Sequence, residues 1–352
     1  MAAGLRLAEL LVGLSTTGDI GMGLPPGEAA RSAVLGTSLA RAVGAPDADV
    51  SDVLYAALLQ HIGCTAYSHE AALLFPDEVV VKRAGLRTNF ARPVDVFRTY
   101  VPWLLSAGRP AERVRTVVNA LARSRSVIDG YSRSNCEVAS ATSRRLGLGD
   151  GVQRALLDIF EWWNGRGAPK GLRGEQIPLA TRITHVATYG ALFHRLGGLE
   201  AAVDAVRTRA GGYLDPGLAA AFCARAPDLI GEMESADVAI AGPAAEPAPV
   251  AIVNDDDVDG ILRTFGEVVD LKAPFLYGHS GEVTELARAA AGGIRMSDAD
   301  VAAVARAALV HDLGRTAIPG GIWEREGPLR SDEWDRVRLH PYHTERILVR
   351  VP

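Results

Sequence analysis

One stretch of this chain occurs twice. A shift of 251 residues lays Ala56-Ala57-Leu58-Leu59-Gln60-His61-Ile62-Gly63-Cys64-Thr65-Ala66 on Ala307-Ala308-Leu309-Val310-His311-Asp312-Leu313-Gly314-Arg315-Thr316-Ala317 without a gap. The same shift lays His279 on Glu28, each just ahead of an apolar helical segment. Repetition at this distance predicts two copies of one structural module. The 352 residues are enough for two ordinary cores.

The repeated unit reads as helical. Glu28–Val43 places Ala30, Val34, Leu35 and Leu39 at the three-and-four spacing of one buried face. Val53–Leu59 continues an amphipathic run behind Ser51, taken as its cap. Asp298–Val310 repeats the pattern with Ser297 as N-cap. Strand-type alternation is scarce, so the whole chain is expected to be all-α. The run AIAGPAAEPAPV at Ala239–Val250 breaks the helical period with three prolines among small residues. It predicts a Pro/Ala-rich linker over 239–254, joining a helical bundle at 1–238 to a second one at 255–352.

Bulk properties exclude several function classes. Hydrophobic residues are 48% and charged residues 22%, ordinary for a globular protein. The net charge of −5, with no Lys/Arg tract, gives no footprint for nucleic-acid binding. Cys64, Cys136 and Cys223 are odd in number and widely spaced, as expected of reduced thiols. The apolar stretch at Leu5–Leu14 is interrupted by Arg6 and Glu9 and does not read as a signal peptide. No run of about 18 apolar residues occurs, so no membrane span is expected, and the cytoplasm is the expected location.

Only the second copy keeps residues suited to catalysis. His279 stands ahead of a helix expected to begin near Glu282, and His311-Asp312 closes the next one. Two antiparallel helices would bring these three side chains around one cation. Such a mixed His/Asp set suits a first-row metal that polarises phosphate oxygens. Gly314 is expected to let the chain turn after the ligands, and Arg315 to reach a substrate phosphate. On spacing alone, a polar pair capping a helix end explains His311-Asp312 equally well.

Further context gives a resemblance. His279-Ser280, His311-Asp312-Leu313-Gly314-Arg315-Thr316-Ala317-Ile318-Pro319, Gly327-Pro328-Leu329, Glu333-Trp334 and His340-Pro341 together resemble the HD-GYP family, from about Val258 to the C-terminus. That family comprises HD-superfamily phosphohydrolases best known for hydrolysing cyclic di-GMP at a di- or tri-metal site. The resemblance implies two HD-type bundles. Metal ligands are implied at His279, His311, Asp312 and His340, and catalytic roles at Asp312 and Arg315. It implies iron, manganese or zinc as the divalent metal, partial occupancy included, and a cyclic dinucleotide or other phosphate-containing small molecule as substrate. It admits a homodimer, and similar actinobacterial proteins often carry a LuxR-type helix-turn-helix, which is not visible here. Arg315 stands where the family usually has lysine. The family pattern continues with a His-His-Glu-x-x-Asp-Gly-x-Gly-Tyr-Pro segment and a later Asp, beyond Pro352, so a truncated second module with an incomplete metal shell is expected.

A worn version of that segment lies in the first module, over Phe160–Glu175 and Ile177-Pro178-Leu179. Ile159 and Phe160 replace the His pair, Asn164 the Asp, Ala168 the Tyr and Thr188 the later Asp. Gln60 is a poor substitute for an imidazole. Glu28, His61 and Glu161 are the remaining candidates for holding one ion weakly. The module is therefore expected to be a catalytically dead scaffold or sensor. Two functions stand side by side: a metal-dependent phosphodiesterase within a longer parent, and a non-catalytic signal-binding or dimerising regulatory module. Elsewhere, His69, His185 and His194 read as structural, and His343 as a solvated neighbour of His340. Trp103, Trp162 and Trp163 read as core or interface, and Asp255-Asp256-Asp257 as a helix start.

Overall fold

The computed structural model describes residues 4–75, 77–106, 110–235 and 237–352, and the side chains at 74, 101, 103–106, 110–124 and 256 lie outside that description. The expectations for the side chains of Trp103 and Asp256 fall outside it. The chain starts with strand β1 (Leu5–Arg6) and helices α1 (Leu7–Leu14), α2 (Thr16–Gly21), α3 (Glu28–Ala42) and α4 (Asp47–Leu59). Then come α5 (Ser68–Leu74), α6 (Glu78–Arg87), α7 (Pro93–Ser106), α8 (Pro110–Arg145) and α9 (Asp150–Leu157). Helices α10 (Leu179–Arg209), α11 (Pro216–Glu234) and α12 (Val238–Ala244) complete the first part. Strand β2 (Ile252–Val253) leads into α13 (Asp255–Asp270), α14 (His279–Gly293), α15 (Asp298–Val310), α16 (Gly320–Trp323), α17 (Ser331–Arg338) and α18 (His340–Leu348). The fold is all-α, with one two-residue strand pair among the described residues.

The 251-residue offset holds at both ends of two helices: α3 against α14, and α4 against α15. It also holds for the preceding glycines. Gly27 and Gly278 take φ of 87° and 83°, a left-handed conformation that costs a glycine nothing. In both places a carboxylate from an earlier helix caps the new one. Asp19 accepts from the backbone N–H groups of Gly27, Glu28 and Ala29, and Asp270 from the N–H and hydroxyl of Ser280. This cap explains why α14 begins at His279, three residues before the expected start.

The cap at Ser297 forms as expected, accepting from the N–H of Asp300. Ser51 does not cap anything. Helix α4 starts four residues earlier, behind Pro46, where Asp47 and Asp49 favour the positive end of the helix. Ala30, Val34, Leu35 and Leu39 are buried on α3, against α4, α10 and α11.

The stretch at 239–254 differs from an unstructured connector. Asp237 accepts from the N–H of Ala239 and starts α12. Pro243 sits one residue from its end, so the missing N–H costs a short helix little. Small residues let α12 lie close to α1, where a Cβ on Gly242 would come 2.8 Å from Val12. Beyond α12, β2 pairs antiparallel with β1, Leu5 opposite Val253 and Arg6 opposite Ile252. Buried Glu246 ties the stretch down, accepting from Arg6 at 2.9 Å, from the Tyr55 hydroxyl at 2.5 Å and from the N–H of Ala251 at 2.9 Å.

The two parts pack reciprocally. Helix α2 lies on the 3-10 turn Leu313–Ala317, while α13 lies on the corresponding turn Ile62–Thr65. The Thr65 hydroxyl donates to the Val268 carbonyl at 2.8 Å. Ion pairs Lys272–Glu78 (2.7 Å) and Arg145–Glu267 (2.6 Å) cross the same junction.

Candidate metal centre

Helices α14 and α15 run side by side so that the start of one meets the end of the other. His279 opens α14, and His311 caps the C-terminus of α15 with Asp312 directly after it. One ligand atom from each of His279, His311 and Asp312 lies within 4.8 Å of the others. Asp312 is the hub. Its Oδ2 is 3.2 Å from His279 Nε2, 2.8 Å from His311 Nε2 and 2.7 Å from Arg315 Nη2, and its Oδ1 is 3.4 Å from His340 Nε2.

The imidazoles are aimed by the backbone. His311 Nδ1 lies 2.8 Å from the Ala308 carbonyl, and His340 Nδ1 2.7 Å from that of Val337. A carbonyl can only accept, so both Nδ1 atoms carry the proton, and both Nε2 atoms point at Asp312. Contact with Asp312 raises the His311 pKa above its ordinary value, against the opposing effect of burial. Burial pushes Asp312 the other way, but His311 and the Arg315 charge outweigh it and hold its carboxyl below the usual range.

These contacts are close without being aligned as hydrogen bonds. His279 Nε2 and both Asp312 oxygens are buried with no hydrogen-bond partner. Orphaned polar atoms converging on one point are costly unless a further group satisfies them. A divalent cation fits that donor set of imidazole nitrogens and carboxylate oxygens.

Arg315 does not extend freely from the turn. Its guanidinium lies 5.2 Å from the centroid of Trp323, and its Nε and Nη1 are buried without partners. His343 is half-buried, and burial lowers its pKa. It makes no ion-pair contact with Asp312 among the described residues.

Gly314 serves close approach, and the turn does not demand a left-handed residue there. A Cβ at this position would lie 2.1 Å from the His340 carbonyl and 2.6 Å from the Thr344 nitrogen. The Gly314 N–H donates to the Thr344 hydroxyl at 2.9 Å, docking α18 on the turn. Gly314→Ala is therefore expected to push His340 away from Asp312 and weaken Mn²⁺ binding about 10–100-fold, as for residues that orient metal ligands. Titration calorimetry checks this, and unchanged affinity would remove Gly314 from the site.

Of the candidates in the first part of the chain, two meet. The Thr188 hydroxyl donates to Gln60 Oε1 at 2.9 Å, so these two stand-ins hydrogen-bond directly. Glu28, the counterpart of His279, is buried and paired with the Arg195 guanidinium. An organic cation thus neutralises it. Glu161 is elsewhere, its oxygens accepting from the N–H groups of Lys170 and Leu172 at 2.6 and 2.8 Å. Asn164 accepts from Arg166 N–H in a local turn. His61 is buried, which lowers its pKa to about 4. Glu28, His61 and Glu161, the candidates for one weakly held ion, do not form a metal-holding group among the described residues. Each carboxylate has found another partner.

Sequence reading missed one counterpart. A Cβ on Gly63, which the repeat pairs with Gly314, would meet the Asn135 carbonyl at 2.2 Å. Asn135 on α8 therefore occupies the station that His340 holds on α18. The 251-residue shift breaks before this point, so the equivalence had no signal in the sequence.

The remaining histidines contact other protein groups. Buried His185 pairs with the Ile159 carbonyl at 2.7 Å, and His194 lies 3.2 Å from Arg31. His69 contacts Glu324 at 2.5 Å across the junction. Trp162 packs between Phe90 and Tyr213, and Arg182 lies over Trp163. Among the described residues, no helix is long and apolar enough to cross a membrane.

Comparison with known proteins adds four findings. Residues 263–352 match the HD domain family. Over 348 residues, the chain is 26% identical to the 3'3'-cGAMP-specific phosphodiesterase 3 of Vibrio cholerae serotype O1, spanning 98% of this chain and 76% of that protein. A crystal structure of a cyclic GMP-AMP specific phosphodiesterase from V. cholerae is similar, with a TM-score of 0.71 and 25% identity over 99% of this chain and 80% of that one. A shorter match, 35% identical over 75 residues, links 21% of the chain to 18% of the cyclic di-GMP phosphodiesterase PA4108 of Pseudomonas aeruginosa.

Proposed function

We propose that this chain, which belongs to the HD-domain phosphohydrolase family, hydrolyses a phosphodiester bond of a cyclic dinucleotide at a metal centre formed by His279, His311, Asp312 and His340. The observation that carries the reading is the convergence of three imidazole Nε2 atoms on the buried Asp312 carboxylate. A divalent metal bound there supplies a nucleophilic water near neutral pH and polarises a phosphate oxygen. His311 and His340 hold their Nε2 lone pairs toward the centre by donating Nδ1–H to the backbone. Asp312 supplies the negative charge, and Arg315 fixes the Asp312 oxygen nearest to it at 2.7 Å. The two unpaired Arg315 donors are the groups suited to a phosphate oxygen.

The proposed substrate is 3'3'-cGAMP. The relative matched over nearly the whole chain is specific for it, whereas the cyclic di-GMP relative matches only a fifth. The first module, with its Glu28–Arg195 and Gln60–Thr188 pairs, is proposed as the non-catalytic copy of the same unit.

The test is turnover of 3'3'-cGAMP and cyclic di-GMP by the purified chain with Mn²⁺, with and without chelator. Chelator-sensitive cleavage of 3'3'-cGAMP, lost in His311→Ala, is expected. A chain that binds a cyclic dinucleotide but cleaves neither would favour a regulatory module that keeps the fold without turnover.

A further inference from the structure

The first module has shed its ligands, yet it touches the second module next to the metal residues. Glu78, at the start of α6, is almost wholly buried, as is Lys272 of the second module, at 1% exposure each. The Lys272 ammonium donates to Glu78 Oε1 at 2.7 Å and lies 3.5 Å from the Thr316 carbonyl. Both Glu78 oxygens accept from the N–H of Gly320 at 3.0 Å. Thr316 and Gly320 belong to the stretch that follows Asp312 and Arg315. The neighbouring Asp77 accepts from Arg336 at 2.8 Å, on α17, the helix that leads into His340. Two adjacent acidic residues of one module therefore grip two of the three segments that present ligands in the other.

We propose that Glu78 is a positioning residue for the second module's metal centre, its carboxylate clamping the turn that carries Asp312 and Arg315. Charge-assisted hydrogen bonds are short and directional, and here they end on backbone groups: Gly320 N–H, three residues after the turn, and, through Lys272, the Thr316 carbonyl within it. No side chain of α6 reaches the centre, so the effect passes through the position of residues 312–320. The proposal rests on the metal-centre reading above.

The test uses the full chain with Glu78→Leu and Lys272→Met together. The double change removes both charges, avoiding the lone buried charge that one substitution would leave. Two quantities are read: Mn²⁺ affinity by titration calorimetry, and amide hydrogen exchange over 311–323, with 28–59 as the internal control. The expected result is roughly tenfold weaker Mn²⁺ binding, in line with other ligand-orienting residues, and faster exchange over 311–323 alone. A merely structural pair would alter melting temperature and leave both readings at wild-type values, and that result overturns the proposal. Should the double variant fail to fold, Glu78→Gln with Lys272→Met, which leaves only a neutral acceptor for Gly320 and no lone charge from the pair, is read in the same way. A wild type that binds no Mn²⁺ would sink the metal-centre reading, and exchange over 311–323 would then decide the clamp by itself.

Discussion

A loss of about 3–5 kcal/mol in unfolding free energy is the expected result of Lys272→Met, because removing one partner leaves the Glu78 carboxylate buried and uncompensated. Denaturant unfolding followed by helical circular dichroism measures it. The loss should depend on pH in a defined direction. Burial pushes the Glu78 carboxyl up, but Lys272 and then Lys82 pull it below its ordinary value of 4.5. Its depressed pKa means that the stabilisation is fully present above that ordinary value. It is lost as pH falls through the folded-state pKa. Without Lys272, burial is opposed mainly by Lys82, and Glu78 takes up a proton at higher pH. The variant is thereby relieved on acidification while the wild type is weakened. The gap between them should narrow as pH falls, and a gap that widens would contradict the assignment.

The second large effect is on chemistry. Asp312→Asn keeps the volume of the side chain and removes the charge on which three imidazoles and Arg315 converge. Residues that merely orient metal ligands are worth about 10–100-fold. Loss of the central carboxylate should cost more than about 100-fold in 3'3'-cGAMP turnover, together with most of the bound metal. Steady-state rates at saturating Mn²⁺, beside metal analysis of the dialysed protein, check this. An asparagine variant within a few-fold of wild type would remove Asp312 from the reaction.

Much of this was legible in the chain itself. Local patterns encode helices, so the spacing of Ala30, Val34, Leu35 and Leu39 and the Ser297 cap carried over to α3 and α15. The repeat placed His279 and His311-Asp312 at corresponding helix ends, where they do meet. What was illegible depends on partners distant in sequence. Asp270, not a local residue, sets the start of α14. Gly314 was read as a turn residue, yet its constraint is α18 arriving from about 30 positions downstream. Glu28 and Glu161 kept metal-binding side chains but are engaged by Arg195 and by backbone N–H groups, which composition does not reveal. Glu78 and Lys272 lie 194 positions apart with no motif to join them.

The Glu246 anchor has a consequence for the order of assembly. During synthesis the N-terminal part of a chain folds first, but Arg6 and Tyr55 receive their carboxylate partner only 240 and 191 residues later, respectively. Until then the buried Tyr55 hydroxyl lacks this acceptor, and β1 has no strand to pair with. The emerging first bundle therefore lacks the partners along one seam until 246–253 have been added.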